Sequence, residues 1–288
     1  MFRYIPFEEI EKNKWNGTVH YALNGNVQGY YWYLKAVLHE WGAIVENDYE
    51  TVMPVLLSPL KDYQRSLLNE LGPYSVNLLN KGRTDEIFTL FSKYNKSTIY
   101  PTNSGMSNLA TEQFTQKKRL KAVYSGGKTY EDLSNGYSDK FIEALHGGFD
   151  NISIISGKKP EQIVELLSYS KDHKNALLRL MYNAMHRGVG FSNGIINKQT
   201  EEVIALSFFI SMPRCINEFI SFSSKETKYR QLIFDLILRN NAERPVRIES
   251  YTNVNELMEI GFDQEPVIDI HLKNRNSFSL KRLFSFNR

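Results

Sequence analysis

The chain has 288 residues, of which 42% are hydrophobic and 13% aromatic, which is enough apolar material for about two packed domains. Its net charge of +3 is small for this length and argues against a dedicated DNA-binding protein, which usually carries a strongly basic patch or stripe. The single cysteine, Cys215, cannot form an internal disulfide, which fits a reducing, cytoplasmic compartment. No stretch approaches the roughly 20 apolar residues of a transmembrane segment.

The first 100 residues alternate short apolar runs with periodic segments, which predict strands and helices. Asn47-Asp48 lies between two β-rich runs, as in a β-hairpin. The predicted elements are a strand at 2–5, a helix from Pro6 through Trp15, a helix at 30–38, hairpin strands at 43–45 and 51–57, a strand at 74–79, a helix at 84–93 and a strand at 97–100. Residues 102–117 are polar and without period, and they predict a linker.

The second half has clearer helix signals. Pro160 favours the first turn of a helix, and Gly188 follows a run with His186 and Arg187 in its last turn. The predicted elements are a strand at 120–124, a helical stretch to His146, a strand at 152–155, helices from Pro160 and through 177–187, strands at 189–196, 202–210 and 214–222, a helix at 226–239, a strand at 246–250, a helix at 254–260 and a strand at 267–272.

The predicted order over 151–273 is β-α-α-β-β-β-α-β-α-β, and its first eight elements repeat the order of residues 1–100. This order resembles that of the GNAT N-acyltransferases, and its duplication resembles the Fem-type peptidyltransferases. Three stretches are similar to members of these groups: Asn24-Gly25 with Tyr30–Leu34, Asp48–Pro54, and Ile260-Gly261-Phe262. The resemblance implies an α+β fold of two GNAT-like lobes, each a mixed, mostly antiparallel sheet flanked by helices. We expect lobes at 1–115 and 116–273, and a basic aromatic tail at 274–288.

GNAT enzymes hold the pyrophosphate of acyl-CoA in a glycine-rich loop, where backbone N–H groups and a helix N-terminus approach the anion. The matching loop here, 223–230, has no glycine, and Glu226 opposes an anion. The resemblance makes six residues candidates for binding the donor: Ser223, Ser224, Lys225, Lys228, Tyr229 and Arg230. The alternative is a plain capped helix with solvated charges.

Three residues are candidates for acid–base chemistry. Glu218, within a predicted strand, is placed like the carboxylate that serves as a base in GNAT enzymes, and a half-buried glutamate would have a raised pKa. Glu249 offers the same chemistry on the neighbouring predicted strand. The position of the GNAT general acid is occupied by Leu257, which cannot transfer a proton, so Tyr251 is the candidate acid. The alternative for each of these residues is a structural role.

Two functions remain open at this stage. The first is an N-acyl or aminoacyl transferase acting on an amine of a small molecule or peptide, with acyl-CoA or aminoacyl-tRNA as donor. Fem-type enzymes do not need the glycine loop, but a tRNA partner usually requires a basic face. The second is a catalytically degenerate GNAT-fold protein with a binding or assembly role.

Other features point to no further chemistry. The histidines at 20, 39, 146, 173, 186 and 271 show no metal-ligand spacing, and no metal is expected. Cys215 lies inside a predicted strand, which favours a small core residue over a nucleophile. The tail from Lys273 either touches anionic lipid or a partner chain, packs on its own domain or is disordered.

Overall fold

The computed structural model describes residues 1–102, 114–147, 149, 151–224 and 227–272. Most of the predicted linker, the tail and Lys225 lie outside these ranges. The chain folds into two compact units. The first unit comprises residues 1–119 and those from Val267 onward, and the second comprises Leu120–Pro266. The boundary predicted at 115/116 stays a prediction.

The first unit contains a four-stranded antiparallel sheet in the order β1-β2-β3-β4. Strand β5 (Ile99–Thr102) pairs with β12 (Asp263–Leu272), the last strand within the described residues. The elements are β1 (Phe2–Pro6), α1 (Lys12–Tyr21), α2 (Tyr31–Val37), β2 (Trp41–Glu46), β3 (Thr51–Leu56), α3 (Asp62–Leu67), β4 (Tyr74–Ser75), α4 (Lys81–Tyr94) and β5 (Ile99–Thr102).

The second unit holds strands in the order β6-β11-β10-β9-β8-β7, and the boundary between the units falls within β6 and within β12. Its elements are β6 (Phe114–Tyr124), α5 (Tyr130–Ser134), α6 (Asp139–Gly147), β7 (Ile152–Ser156), α7 (Pro160–Glu165), α8 (Lys171–His186), β8 (Gly190–Asn197), β9 (Val203–Met212), β10 (Cys215–Ser223), α9 (Thr227–Asn241), β11 (Arg247–Ser250), α10 (Val254–Met258) and β12 (Asp263–Leu272).

From β7 to β12 the observed order is β-α-α-β-β-β-α-β-α-β, as the sequence predicts. The core lies between α9 and the face of the sheet that α9 covers. Phe234 of α9 packs edge-on against Phe209 of β9 and Phe262, with ring centroids 5.5 and 5.4 Å apart. Gly261, with φ of +84°, makes the turn before β12, where an added Cβ would lie 2.6 Å from a Leu133 side-chain carbon. The backbone conformation therefore favours glycine there, and a larger residue would also require the Leu133 side chain to shift.

The predicted hairpin is present as β2 and β3, but its connection is longer than the two residues that the sequence suggests. Glu46 pairs with Thr51, so four residues form the turn. Asn47 and Tyr49 both have positive φ. Asn tolerates this conformation, and Tyr49 is held in it by its buried hydroxyl, which accepts a hydrogen bond from the Glu11 N–H at 2.8 Å.

Several predicted bounds in the first unit are wrong. The helix predicted from Pro6 is a 3-10 turn followed by α1, because Ile10 and Glu11 are extended. The strand predicted at 74–79 ends at Ser75, whose hydroxyl accepts from the Asn77 N–H at 3.2 Å and turns the chain. Residues 114–117, predicted as linker, belong to β6, and the short helix α3 is not predicted.

No helix in the described ranges combines the length and apolar character needed to cross a membrane.

Candidate functional site

The predicted catalytic residues lie where strands β10 and β11 separate. The two strands run parallel and pair through three residues each, ending at Asn217 opposite Glu249. Beyond this point β10 bulges between Glu218 and Ile220 against β9. We call this place the β10–β11 fork. Because side chains alternate across a sheet, Glu218 shares the α9 face with Ile216, whereas Asn217 and Glu249 project from the opposite face.

On the α9 face, Glu218 is locked in an ion pair with Arg230. The Arg230 Nη2 lies 2.5 Å from Glu218 Oε2, and Nε lies 3.1 Å from Oε1. The two side chains are 2% and 1% exposed. Ser207 and Ser250 donate hydrogen bonds to the same carboxylate at 2.8 and 2.7 Å. Both carboxylate oxygens therefore accept charge-assisted bonds inside the protein.

The expectation of a raised pKa for Glu218 is wrong. Burial on its own would raise this pKa, but the Arg230 guanidinium and the hydroxyls of Ser250 and Ser207 outweigh burial, so the pKa of Glu218 is lowered. An ionised carboxylate with lowered pKa is a poor proton acceptor near neutral pH. Its assignment as a general base stays a prediction that the geometry does not favour.

Arg230, predicted to help bind the donor, points into the protein from the first turns of α9. Besides Glu218, its guanidinium donates to Glu256 Oε2 at 3.2 Å and to the Thr252 carbonyl at 3.0 Å. It also lies over the Phe234 ring, 5.2 Å from the centroid. These contacts use the guanidinium in structural bonds, and its role in binding an anion stays a prediction.

The other predicted donor-binding residues lie nearer the surface. Ser223 and Ser224 are exposed at the end of β10, where the Ser224 N–H donates to the Ile204 carbonyl at 2.7 Å. Lys228 and Tyr229 are partly exposed at the start of α9, with the Lys228 ammonium 5.3 Å from the Tyr229 ring centroid. The structure thus leaves Lys228 and Tyr229 near solvent and directs Arg230 inward.

On the opposite face of the fork, Glu249 is the centre of a second charged cluster. Lys121 Nζ lies 3.1 Å and Arg247 Nε 3.0 Å from its Oε1. Asn217 Nδ2 donates to Oε2 at 3.1 Å, and the Tyr251 hydroxyl donates to Oε2 at 3.5 Å. Glu249 and Tyr251, both predicted site residues, are therefore brought together by the structure.

Electrostatics keep Glu249 ionised. Burial would raise its pKa, but Lys121 and Arg247 outweigh burial, and the pKa of Glu249 is lowered. The carboxylate is therefore suited to hold a cation rather than to take up a proton. Cys215 lies near the cluster, and burial, followed by the Glu249 charge, raises the pKa of its thiol well above the usual value. This fits the predicted core role of Cys215.

Asn217 has a buried acceptor without a partner. Its side-chain oxygen Oδ1 has no hydrogen-bond partner among the residues that the structure describes, although Asn217 is only 5% exposed. The amide orientation is set by the bond from Nδ2 to Glu249, since a flipped amide would direct Oδ1 at the carboxylate. Buried polar atoms are almost always paired, so this acceptor is open to a water molecule or another donor.

Sequence reasoning missed Lys121 and Asn217. Both are polar residues inside apolar strand segments, Leu120–Tyr124 and Cys215–Ile220, and Lys121 is 6% exposed. A buried lysine is rare unless paired, and this was the available signal. Over the described ranges, no group of three or more His, Cys, Asp or Glu side chains is arranged to hold a metal ion.

No protein-family model and no curated protein sequence matches this chain. Solved protein structures do match this chain in fold. FemX superposes with a TM-score of 0.66 at 9% identity, covering 96% of this chain and 99% of its own. A conserved Bacteroides thetaiotaomicron protein of unknown function gives 0.60 at 10% identity, with coverage of 95% and 100%. A tandem GNAT protein from the clavulanic acid biosynthesis pathway gives 0.51 at 8% identity, with coverage of 94% and 98%.

These likenesses extend over nearly the whole chain and show its fold. The protein has an α+β fold like that of the tandem GNAT protein and of FemX, as the element order from β7 to β12 predicts. At 8–10% identity they carry the fold alone, because one fold serves many functions.

Proposed function

We propose that the protein transfers an acyl or aminoacyl group to an amine acceptor held at the β10–β11 fork beside Asn217 and Glu249. The observation that carries this proposal is the unpartnered Oδ1 of Asn217 beside the ionised Glu249 carboxylate. A buried acceptor left without a donor costs about 1–3 kcal/mol. An amine supplies N–H donors for Asn217, and in its ammonium form it supplies a positive charge for Glu249.

The chemistry assigns different tasks to the two sides of the acceptor. Asn217 and Glu249 bind and orient the amine, which sheds a proton to water before reaction. The amine nitrogen then bonds to the donor carbonyl carbon, and the bond to the leaving group breaks. Tyr251, hydrogen-bonded to Glu249 at 3.5 Å, protonates the leaving group and regains a proton from the new C–N centre. Such proton transfer typically contributes about 10²–10⁴-fold in rate.

Two observations favour an aminoacyl donor over acyl-CoA. The Arg230 guanidinium is already paired with Glu218 and Glu256, and loop 223–230 has no glycine. Without glycine, backbone N–H groups approach a pyrophosphate less closely. The Fem-type resemblance implies aminoacyl-tRNA as the donor in enzymes that lack this loop.

A second candidate function is binding without catalysis. The observation in its favour is the Glu218–Arg230 pair, which fills the α9 face of the fork with bonds that the protein makes to itself. In this case the fold retains a scaffold whose catalytic carboxylate has become structural.

The experiment that separates the two candidates measures thermal midpoint and product together. A ligand that binds only the folded protein raises the midpoint. Purified protein is mixed with acetyl-CoA, longer acyl-CoAs, bulk aminoacyl-tRNA or deacylated tRNA, with glucosamine and a lysine-containing tripeptide as amine probes. Transfer to the amines is followed by mass spectrometry. We expect aminoacyl-tRNA, but not acetyl-CoA, to raise the midpoint and yield an aminoacylated amine.

Two variants test the residues. Asn217→Ala should lower transfer at least about ten-fold, because it removes one hydrogen bond to the bound amine. Asn240→Ala, which removes an exposed asparagine of α9 in the same unit, should leave transfer unchanged. If no donor raises the midpoint and no amine is modified, the non-catalytic candidate replaces this proposal.

A further inference from the structure

A cavity of about 220 Å³ lies in the first unit, at the start of strand β5. Leu68, Ile99 and Pro101 form its apolar wall. Its volume is below the roughly 300–1,000 Å³ of pockets for drug-sized ligands. The size therefore fits a molecule of about amino-acid size with a short apolar body.

An ion pair forms one charged side of the cavity. Arg119 donates two hydrogen bonds of 2.9 Å to Asp269 of β12, from Nε to Oδ2 and from Nη2 to Oδ1. Two further bonds, of 3.1 and 3.2 Å, connect the guanidinium to the side chain and carbonyl of Asn69. This network fixes Arg119 in place. Each Asp269 oxygen accepts one bond from Arg119 and has a second lone pair that can accept another.

Arg65 also lines the cavity and is held far more loosely. Its ion partner Asp62 is 3.3 Å away, and the two side chains are 48% and 98% exposed. Exposed pairs of this kind contribute little to stability, so Arg65 can change partner at small cost. Its guanidinium is a planar fork of N–H donors, which suits a carboxylate.

We propose that this cavity binds a small α-amino acid with an apolar side chain. The carboxylate pairs with Arg65, the ammonium donates to Asp269, and the side chain lies against Leu68, Ile99 and Pro101. The charges suit a zwitterion, because Arg65 is positive and the carboxylate of the Arg119–Asp269 pair can also accept from an ammonium. This lining favours a carboxylate, while Asp269 selects for an adjacent ammonium.

Isothermal titration calorimetry with leucine and its fragments tests the proposal. 4-Methylpentanoate keeps the carboxylate and the apolar body but lacks the ammonium, and 3-methylbutylamine keeps the ammonium but lacks the carboxylate. We expect leucine to bind saturably, with a Kd of about 1 mM or below, and each fragment to bind at least about ten-fold more weakly. Inorganic phosphate should not compete with leucine.

Variants assign the binding to this cavity. Arg65→Gln should weaken leucine binding at least about ten-fold, because it removes a charge-assisted pair. Its fold should be intact, since Arg65 is largely exposed. Arg3→Gln removes an exposed arginine elsewhere in the first unit and should change the Kd less than about two-fold. Asn217→Ala should also leave leucine binding unchanged, which separates this inference from the proposed function.

Each of the following results would overturn the proposal. They are no saturable heat with leucine or the other apolar amino acids up to about 10 mM, fragments that bind as well as leucine, or an Arg65→Gln variant with wild-type affinity. Binding of inorganic phosphate in place of leucine would identify a general anion site and would also overturn it.

Discussion

Arg230 and Glu218 carry opposite charges inside the second unit, where each is desolvated and depends on the other. Removing one partner leaves an uncompensated buried charge, which typically costs about 3–5 kcal/mol. We therefore expect Arg230→Met to lower the free energy of unfolding by about that amount. Denaturant titration followed by circular dichroism measures the change.

The matched control is Arg65→Met, the same substitution at an arginine whose side chain is 48% exposed and whose partner is 98% exposed. Exposed ion pairs contribute about 0–1 kcal/mol, so this variant should lose less than about 1 kcal/mol. If both variants lose less than about 1 kcal/mol in the free energy of unfolding, the Glu218–Arg230 ion pair does not stabilise the fold as described above.

Glu249 gives a prediction about pH, because its folded-state pKa is lowered by Lys121 and Arg247 against the opposing effect of burial. A lowered folded pKa adds stability that is present above the unfolded pKa of about 4.3. This stability is lost as pH falls through the folded pKa. The stability advantage of wild type over Glu249→Gln should therefore be constant between about pH 7 and 6 and shrink below about pH 4.

The measurement is the free energy of unfolding of both proteins in steps from neutral to acidic pH. At low pH the protonated glutamate resembles glutamine, so the two curves should converge. An advantage that grows as pH falls would mean that the folded pKa is raised, contrary to the ion pairs at Glu249.

At the residue scale the sequence predicted which strands carry the candidate residues, but it did not predict the ion-pair partners of those residues. Glu249 and Tyr251 do lie together, and Glu218 lies at the same fork on the opposite face, because the order of the strands brings β10 beside β11. Arg230 comes twelve residues after Glu218 and meets it only when α9 packs over β10. Lys121 reaches Glu249 from a strand 128 residues earlier. Such partners are set by tertiary packing. They lower the pKa of Glu218, whereas the sequence alone predicted a raised pKa.

Among the elements, those with strong periodicity were predicted well. Helix α9 was expected at 226–239 and is observed at Thr227–Asn241. Helix α3 was missed because six residues are too few to show a helical period. The start of β6 was missed because residues 115–119 are polar and mostly exposed, so no alternation between apolar and polar side chains marks the strand.

The contact between α8 and β8 gives a prediction at the level of elements. A Cβ added to Gly190 of β8 would lie 2.8 Å from the Ala184 Cβ and 2.9 Å from the Met185 backbone nitrogen, both on α8. The backbone cannot move away cheaply, so Gly190→Ala should force α8 and β8 apart. We expect a loss of about 1–3 kcal/mol in the free energy of unfolding.

Gly147→Ala is the control in the same unit. It lies in the last turn of α6 with nothing within 4 Å of an added Cβ. Alanine is favoured over glycine in helices, so this variant should be neutral or slightly more stable in thermal unfolding. Equal effects of the two substitutions would show that close packing at Gly190 does not limit stability.

For the whole molecule, the order of elements predicted in the second half was enough to indicate the fold, although the solved structures that share it are only 8–10% identical in sequence. Order is fixed by apolar periodicity and turn residues, which tolerate many substitutions. A site depends on a few side chains whose partners come from distant segments. The amino-acid cavity illustrates this, because Arg65, Arg119 and Asp269 are widely separated in sequence and show no common motif.

The two proposed binding sites belong to separate units, which leads to a prediction that concerns the chain as a whole. Hydrogen–deuterium exchange with saturating leucine should slow exchange in the segments that carry the cavity, 65–69, 99–102 and 267–271. Exchange at the β10–β11 fork, 215–218 and 247–251, should stay the same. A bound ligand stabilises the backbone hydrogen bonds around it against local opening, so protection should be confined to the unit that binds.

The matched control is 4-methylpentanoate at the same concentration, which should protect neither region. Protection by leucine at the fork alone would move the amino-acid site into the second unit and make Asn217 and Glu249, rather than Arg65 and Asp269, its ligands.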